Sequence, residues 1–183
     1  MKLTELMSGR TPDKTFSGFI TADDWVLAVD VSGAEDTAVG DYETVQAGLV
    51  KVEANLNPIT SEKQYIRSGQ ATLKTGVQRV FDISGDRCIG DPFQDWALSL
   101  AMRYGLGQRV IVPYVYFCLL TGEGERGTVS VLIRSDGSTG AGEGSGFLLT
   151  LRQAGESPAA YTWSPAAPSP ETPGGSGGQD EGN

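Results

Sequence analysis

Four aspartates lie close together in the chain: Asp82, Asp86, Asp91 and Asp95. Carboxylates at such spacing can hold Ca²⁺ or work as an acid–base pair. Two of them have another explanation. Asp91 directly precedes a proline that opens a helix, where its side chain caps the first turn, and Asp95 falls inside that turn, where the helix dipole favours an acid. No D-x-[DN]-x-[DN]-G run accompanies them. The cluster reads as a strand-to-helix corner fixed by Asp86 and Arg87, with no metal site and no catalytic pair expected.

Other candidate chemistry reduces in the same way. The run Gly122-Glu123-Gly124-Glu125-Arg126-Gly127 matches G-x-G-x-x-G, but a dinucleotide fingerprint needs a helix next, and TVSVLIR is a strand pattern. Its two glutamates would also face the phosphates. A glycine-rich hairpin loop is expected there, and another loop over Thr139–Gly146. Lys74-Thr75-Gly76 matches one element of serine β-lactamases without the partner S-x-x-K, and reads as a tight turn. Trp25, Trp96, Trp163, Tyr114 and Tyr116 could stack on a sugar, yet Trp25 and Trp96 fall on expected core faces.

Composition narrows the class further. The 183 residues suit one domain of ordinary size. There is no His, which removes His-dependent triads and imidazole metal sites. With 14 basic against 23 acidic residues the net charge is −9, which opposes binding through nucleic-acid phosphates. The longest apolar run, around Val110–Leu120, is too short to span a membrane, and MKLTELMSGR lacks the apolar stretch of a secretory signal. Cys88 and Cys118 are expected as buried free thiols.

The elements that must position any site are mostly strands. Trp25–Val31 alternates, as do Thr128–Arg134 and Phe147–Gln153. Glu43–Glu53 alternates with a phase slip that a bulge near Gly48 would correct. Gln64–Lys74 and Val77–Ser84 flank Thr75-Gly76 as a hairpin. Arg109–Leu120 is apolar on both faces, although Pro113 argues for an edge position or a bulge. One helix is expected, Pro92–Tyr104. Asp91 caps it, Gln94 completes a capping box, Gly105 stops it, and Phe93, Trp96, Leu100 and Tyr104 lie along one apolar stripe. Trp96 is expected at the centre of that packing. The sum is a mainly β fold, a β-sandwich or half-barrel with one flanking helix. From Ser157 the chain turns Pro- and Gly-rich, with three acids and no base. The division expected is a β domain over 1–156, with an N-terminal arm over 1–20, and a disordered acidic tail over 157–183. Removing that tail is expected to leave folding intact.

Two stretches carry a family resemblance. VEANLNPITSEKQYI (Val52–Ile66) and DISGDRCIGDPFQDWALSLAMRYGLG (Asp82–Gly107), in this order and with the surrounding strands, resemble the tail tube (major tail) proteins of long-tailed phages and prophages of Gram-positive bacteria. The resemblance implies a structural virion protein rather than an enzyme, with no cofactor. It implies homohexameric rings that stack into a hollow tail tube, assembled in the host cytoplasm, through which DNA is ejected without specific binding. It also implies tape measure, tail terminator and baseplate proteins as partners, and no membrane. An acidic or neutral lumen fits the net charge. Asn55–Gly69 is expected to be a long loop that orders between subunits or rings, with Asn57, Pro58, Glu62, Lys63, Tyr65, Ile66 and Arg67 as contact residues; Ser32–Asp41 and Gly122–Gly127 are similar candidates. The alternative is a monomeric β-sandwich that binds carbohydrate or another surface.

Overall fold

A computed structural model describes residues 1–34, 37–138 and 140–164. Glu35 and Asp36 of the Ser32–Asp41 loop, Thr139, and the tail beyond Ser164 lie outside the described residues. Eight strands form one antiparallel sheet: β1 (Trp25–Val29), β2 (Glu43–Thr44), β3 (Leu49–Tyr65), β4 (Gly69–Asp86), β5 (Ile111–Cys118), β6 (Glu123–Ser138), β7 (Gly146–Gln153) and β8 (Ala159–Thr162). Their order is β2-β1-β5-β6-β7-β4-β3, and β8 pairs with the first residues of β6.

The sheet curls into a half-barrel. Phe81 of β4 meets Tyr114 and Tyr116 of β5 edge-on, each at 5.2 Å, although β6 and β7 separate those strands in the sheet. Alternate residues of β4, β6 and β7 fill the interior: Phe81, Ile83, Val129, Val131, Phe147, Leu149 and Leu151. A second apolar cluster covers the other face of β1 and β5. There Val26, Ala28, Val115 and Phe117 pack under Leu3 and Met7. Leu3 belongs to a short N-terminal helix, α1 (Leu3–Leu6), which packs on this cluster. Burial on both faces explains why Arg109–Leu120 is apolar throughout. Pro113 sits in the middle of the sheet, neither at an edge nor at a bulge. Its carbonyl accepts from Asp30 N–H (3.0 Å) just past the end of β1, so its missing N–H faces the place where the neighbouring strand stops.

Several sequence expectations are corrected. Gly122–Gly127 is not a loop: Glu123–Gly127 is strand, paired with β5. A Cβ on Gly124 would strike the backbone of Tyr116 and Phe117, so glycine here serves close strand approach, not a turn. The irregularity expected near Gly48 is present as a register shift between Leu49 and Lys51, but the strand expected over Glu43–Glu53 is broken between β2 and β3. The sheet does not end at Ser157. Ala159–Thr162 pairs with Glu123–Arg126, Tyr161 meets Phe117 edge-on (5.6 Å), and Trp163 stacks on it (6.0 Å). Cys88 is exposed and Cys118 buried, both free. No helix among the described residues is long and apolar enough to cross a membrane.

The expected helix is two short ones, α2 (Pro92–Ala97) and α3 (Leu100–Arg103). Ser99 restarts the helix as a new cap, accepting from Met102 N–H (3.3 Å). The break turns the apolar stripe. Phe93, Ala97, Leu98 and Met102 enter the core, Trp96 is half-buried at its margin, and Leu100 and Tyr104 point to solvent. Asp91 caps as expected, accepting from Gln94 N–H (2.9 Å). Gln94 does not close a capping box. Its side chain is buried, accepts from Cys88 N–H (2.7 Å) and donates to Ala47 C=O (2.6 Å), tying the helix start to the β2–β3 break. Gly105 is not the left-handed stop; a Cβ there would strike Ala101 C=O and Val110.

This packing predicts opposite outcomes for residues of one apparent stripe. Phe93→Ala should cost about 3–5 kcal/mol in denaturant melts, whereas Leu100→Ser and Tyr104→Ser should each stay within about 0.5 kcal/mol. Equal losses at both places would contradict the two-helix arrangement. The seam of β8 has a pH signature. Burial pushes the Tyr161 hydroxyl up to about 12 from an ordinary 10. The folded state therefore holds that proton more tightly. Its contribution is complete below pH 10 and is lost as pH rises toward 12. The melting temperature should fall over that window, and Tyr161→Phe should reduce the fall.

Candidate assembly surface

β3 and β4 pair along their whole length, but β7 backs β4 only from Val80 to Asp86. Residues 56–65 and 69–79 thus leave the body as a two-stranded ribbon, roughly 35 Å long at about 3.4 Å per residue. The expected loop Asn55–Gly69 is therefore mostly strand. Asn57 pairs with Gln78, Pro58 with Val77, Lys63 with Ala71 and Tyr65 with Gly69. Glu62 lies opposite Thr72 and accepts from Gln70 (2.7 Å). Only residues 66–68 turn, with Arg67 left-handed at φ 70°. Pro58 misled as a turn signal because β3 is an edge strand, which tolerates proline. Thr75-Gly76 is not the hairpin turn either. Register shifts there, between Ile59 and Thr60, and the Thr75 hydroxyl donates to Ile59 C=O (3.1 Å) as a bulge.

The ribbon exposes apolar side chains that the body does not cover: Leu56 (59%), Ile59 (58%), Leu73 (67%), Tyr65 (51%) and, at the tip, Ile66 (92%). Leu56, Ile59 and Leu73 were not singled out from sequence. Among the described residues the outer edge of β3 has no partner strand. Two-stranded hairpins are marginal in water by themselves, and an open apolar edge invites another chain.

A polar clamp fixes the root. Arg79, buried, donates through Nε to Glu125 (2.6 Å) of β6, and the Tyr114 hydroxyl donates to the same carboxylate oxygen (3.0 Å). The guanidinium lies over Phe81 (4.9 Å) and Tyr116 (5.1 Å). Burial, then the Glu125 charge, push the Tyr114 hydroxyl far above its ordinary pKa. Arg79 N–H also donates to Gln153 Oε1 (3.0 Å) at the end of β7. The last strand support of the ribbon and this ion pair coincide.

The face of β3, β4, β7 and β6 turned away from the core carries a polar network beside Val80, Leu132 and Leu148. Arg134 Nε donates to the Thr150 hydroxyl (2.9 Å), Thr150 donates to Asp82 (2.8 Å), and Asn55 donates to the other Asp82 oxygen (3.3 Å). Asp82 is thus a member of a cross-strand network, well apart from Asp91 at its cap and from Asp95, which pairs with Arg87. Among the described residues no group of three or more His, Cys, Asp or Glu gathers as a metal site. Alternation puts Lys51, Glu53, Asp82, Arg134 and Arg152 on this face, and Lys51 pairs with Glu53 (2.7 Å). A cleft of about 680 Å³ opens where the curled sheet leaves β1 and β3 apart. Trp25 stacks on Tyr116 inside it (4.9 Å, 14°), so these rings face each other rather than a ligand.

No family model and no curated protein matches the sequence. Solved structures are similar. A chain in the tail of an empty gene transfer agent particle, obtained by helical refinement with C6 symmetry, aligns with TM-score 0.58 and 17% identity over 80% of this chain and all of that one. A chain in the virion of a native gene transfer agent aligns with TM-score 0.55 and 16% identity over the same shares. This chain has a tail-tube-like fold. Within the tail-tube-like fold the ribbon is an element whose apolar side chains the body leaves uncovered.

The clamp yields a prediction. Glu125→Leu leaves the Arg79 guanidinium unpaired against two aromatic rings. The cost should be about 2–3 kcal/mol, below the roughly 3–5 kcal/mol of a fully buried pair, because Glu125 keeps part of its side chain in water. A loss under about 0.5 kcal/mol in denaturant melts would show that the clamp does not hold the root.

Proposed function

We propose that this chain is the structural subunit of a tail-type tube, not an enzyme. The observation that carries the reading is the β3–β4 ribbon: a long hairpin with an unpaired edge and exposed Leu56, Ile59, Tyr65, Ile66 and Leu73, which only another chain can stabilise. Copies join around a ring through the open sheet edges, six to a ring, and rings stack into a tube in the virion tail. Asn57, Pro58, Glu62, Lys63, Tyr65, Ile66 and Arg67 are contact residues within ribbon strands and tip. Ring closure removes edges as barrel closure does.

The outer face of β3, β4, β7 and β6 lines the lumen in this reading. Where the four strands lie side by side, Lys51, Arg134 and Arg152 stand against Glu53, Asp82 and Asp86, a balance near neutral rather than acidic, and Lys51 is already paired. Such a wall gives DNA phosphates no run of free cations to bind, as a conduit for ejection requires. Tape measure, terminator and baseplate proteins are the partners at the tube's axis and ends, with assembly in the host cytoplasm. A monomeric sugar-binding module has less support, since Trp25, Tyr116 and Trp163 spend their faces on intramolecular stacking.

Negative-stain microscopy of the concentrated protein tests the reading: wild type should form rings or tubes. Replacing residues 57–78 with a short Gly-Ser linker should leave circular dichroism of the body and its melting cooperative, yet abolish tubes. Normal tubes from that variant, or a wild type that stays strictly monomeric, would contradict it.

A further inference from the structure

The strand β4 has the ribbon tip before its first residue, Gly69, and the helices after its last, Asp86. Eighteen residues of strand separate the two by roughly 60 Å. Both ends carry unpartnered apolar side chains. At the tip these are Tyr65, Ile66 and Leu73; at the helical end Leu100 at the start of α3, Tyr104 just past its end and Leu106 beyond are 72%, 78% and 83% exposed.

The charges at the two ends are opposite. Residues 60–74 hold Lys63, Arg67 and Lys74 against Glu62 alone, on a chain whose remainder carries twice as many acids as bases. Among the described residues no ion pair engages those three bases. At the helical end, Asp86, Asp91 and Asp95, with the facing Asp136 and Glu143, outnumber Arg87, Arg103 and Arg109. Two of the acids and two of the bases cancel there, Asp95 with Arg87 and Asp136 with Arg103 (2.7 Å), which leaves Asp86, Asp91 and Glu143 against Arg109.

We infer that the ribbon tip of one copy docks on the α3 surface of a second copy, apolar Tyr65 and Ile66 against Leu100 and Tyr104, with the basic tip facing the acidic helical end. This rests on the tube reading and names its stacking contact. The tip cannot reach its own α3, which lies at the far end of β4, so the occupant is another copy. The contact joins two different surfaces head to tail, and head-to-tail contacts that do not close propagate as open stacks. Opposite charge at the two ends also sets polarity, because tip-to-tip and helix-to-helix pairings bring like charges together. Leu100 and Tyr104 lie where a helix would ordinarily bury its stripe; the break at Ser99 leaves them free for this use.

The test uses the full chain with Cys88→Ser and two further substitutions, Ile66→Cys and Tyr104→Cys. Mild oxidation of assembled protein should give ladders of covalently linked chains on non-reducing gels, while either single cysteine variant gives none. A charge-and-shape variant, Ile66→Glu with Arg67→Glu, should keep single rings and the wild-type melting transition, but lose tubes. Tubes that form without cross-links, or undiminished tubes from the glutamate variant, overturn this contact and leave the tube reading standing. A wild type that remains monomeric overturns both.

Discussion

A β-strand edge must find hydrogen bonds, and a hairpin must find a surface. The β3–β4 ribbon has neither beyond Arg79, and the rest of the molecule is organised around that deficit. Up to Val80 the ribbon is one wall of a half-barrel and shares its core through Phe81 and Ile83. Past that residue every pair depends on the hairpin alone. Ordering such a segment costs about 1–2 kcal/mol per residue in backbone entropy, and in the proposed tube contacts with a neighbouring copy would offset it.

The body supplies a rigid base for the ribbon. Arg79, Glu125 and Tyr114 tie its root to β6 and β5 at the level where β7 ends, so the strand that loses its neighbour is caught by an ion pair and a hydroxyl. At the other end of β4, Gln94 joins the helix start to Ala47 and Cys88, and Phe93, Leu98 and Met102 close the mouth of the half-barrel. Between them the inner face is apolar apart from the Arg79–Glu125 clamp, while the outer face carries the network of Asn55, Asp82, Thr150 and Arg134 beside Val80, Leu132 and Leu148.

Strand periodicity made much of this legible in the sequence. Val129, Val131, Phe147, Leu149 and Leu151 fall on the core face by simple alternation, and the double-sided burial of β5 follows from its unbroken apolar run. What misled were residues with more than one physical use. Pro58 and Thr75-Gly76 carry turn chemistry, yet an edge strand accepts the first and a bulge the second. Gly124 is glycine because two strands cross closely. Gln94 has the spacing of a capping box and instead satisfies a distant backbone. Ser99 is unremarkable inside a helical pattern until it caps a new turn, and that one event frees Leu100 and Tyr104. Only one arm of the ribbon, within Asn55–Gly69, reads as a loop in the sequence, because Asn57-Pro58 carries turn chemistry; the other arm falls largely within the expected strands Gln64–Lys74 and Val77–Ser84.

The most direct measurement is amide hydrogen exchange of the ribbon, residue by residue, in separated subunits and in assembled protein. Backbone amides of residues 56–65 (Pro58 has none) and 69–79 should exchange rapidly in single subunits, while Phe81 and Ile83 on β4 are protected, and the ribbon amides should become protected on assembly. Ribbon amides already as protected as the core in the isolated subunit, or still exchanging freely in tubes, would contradict it.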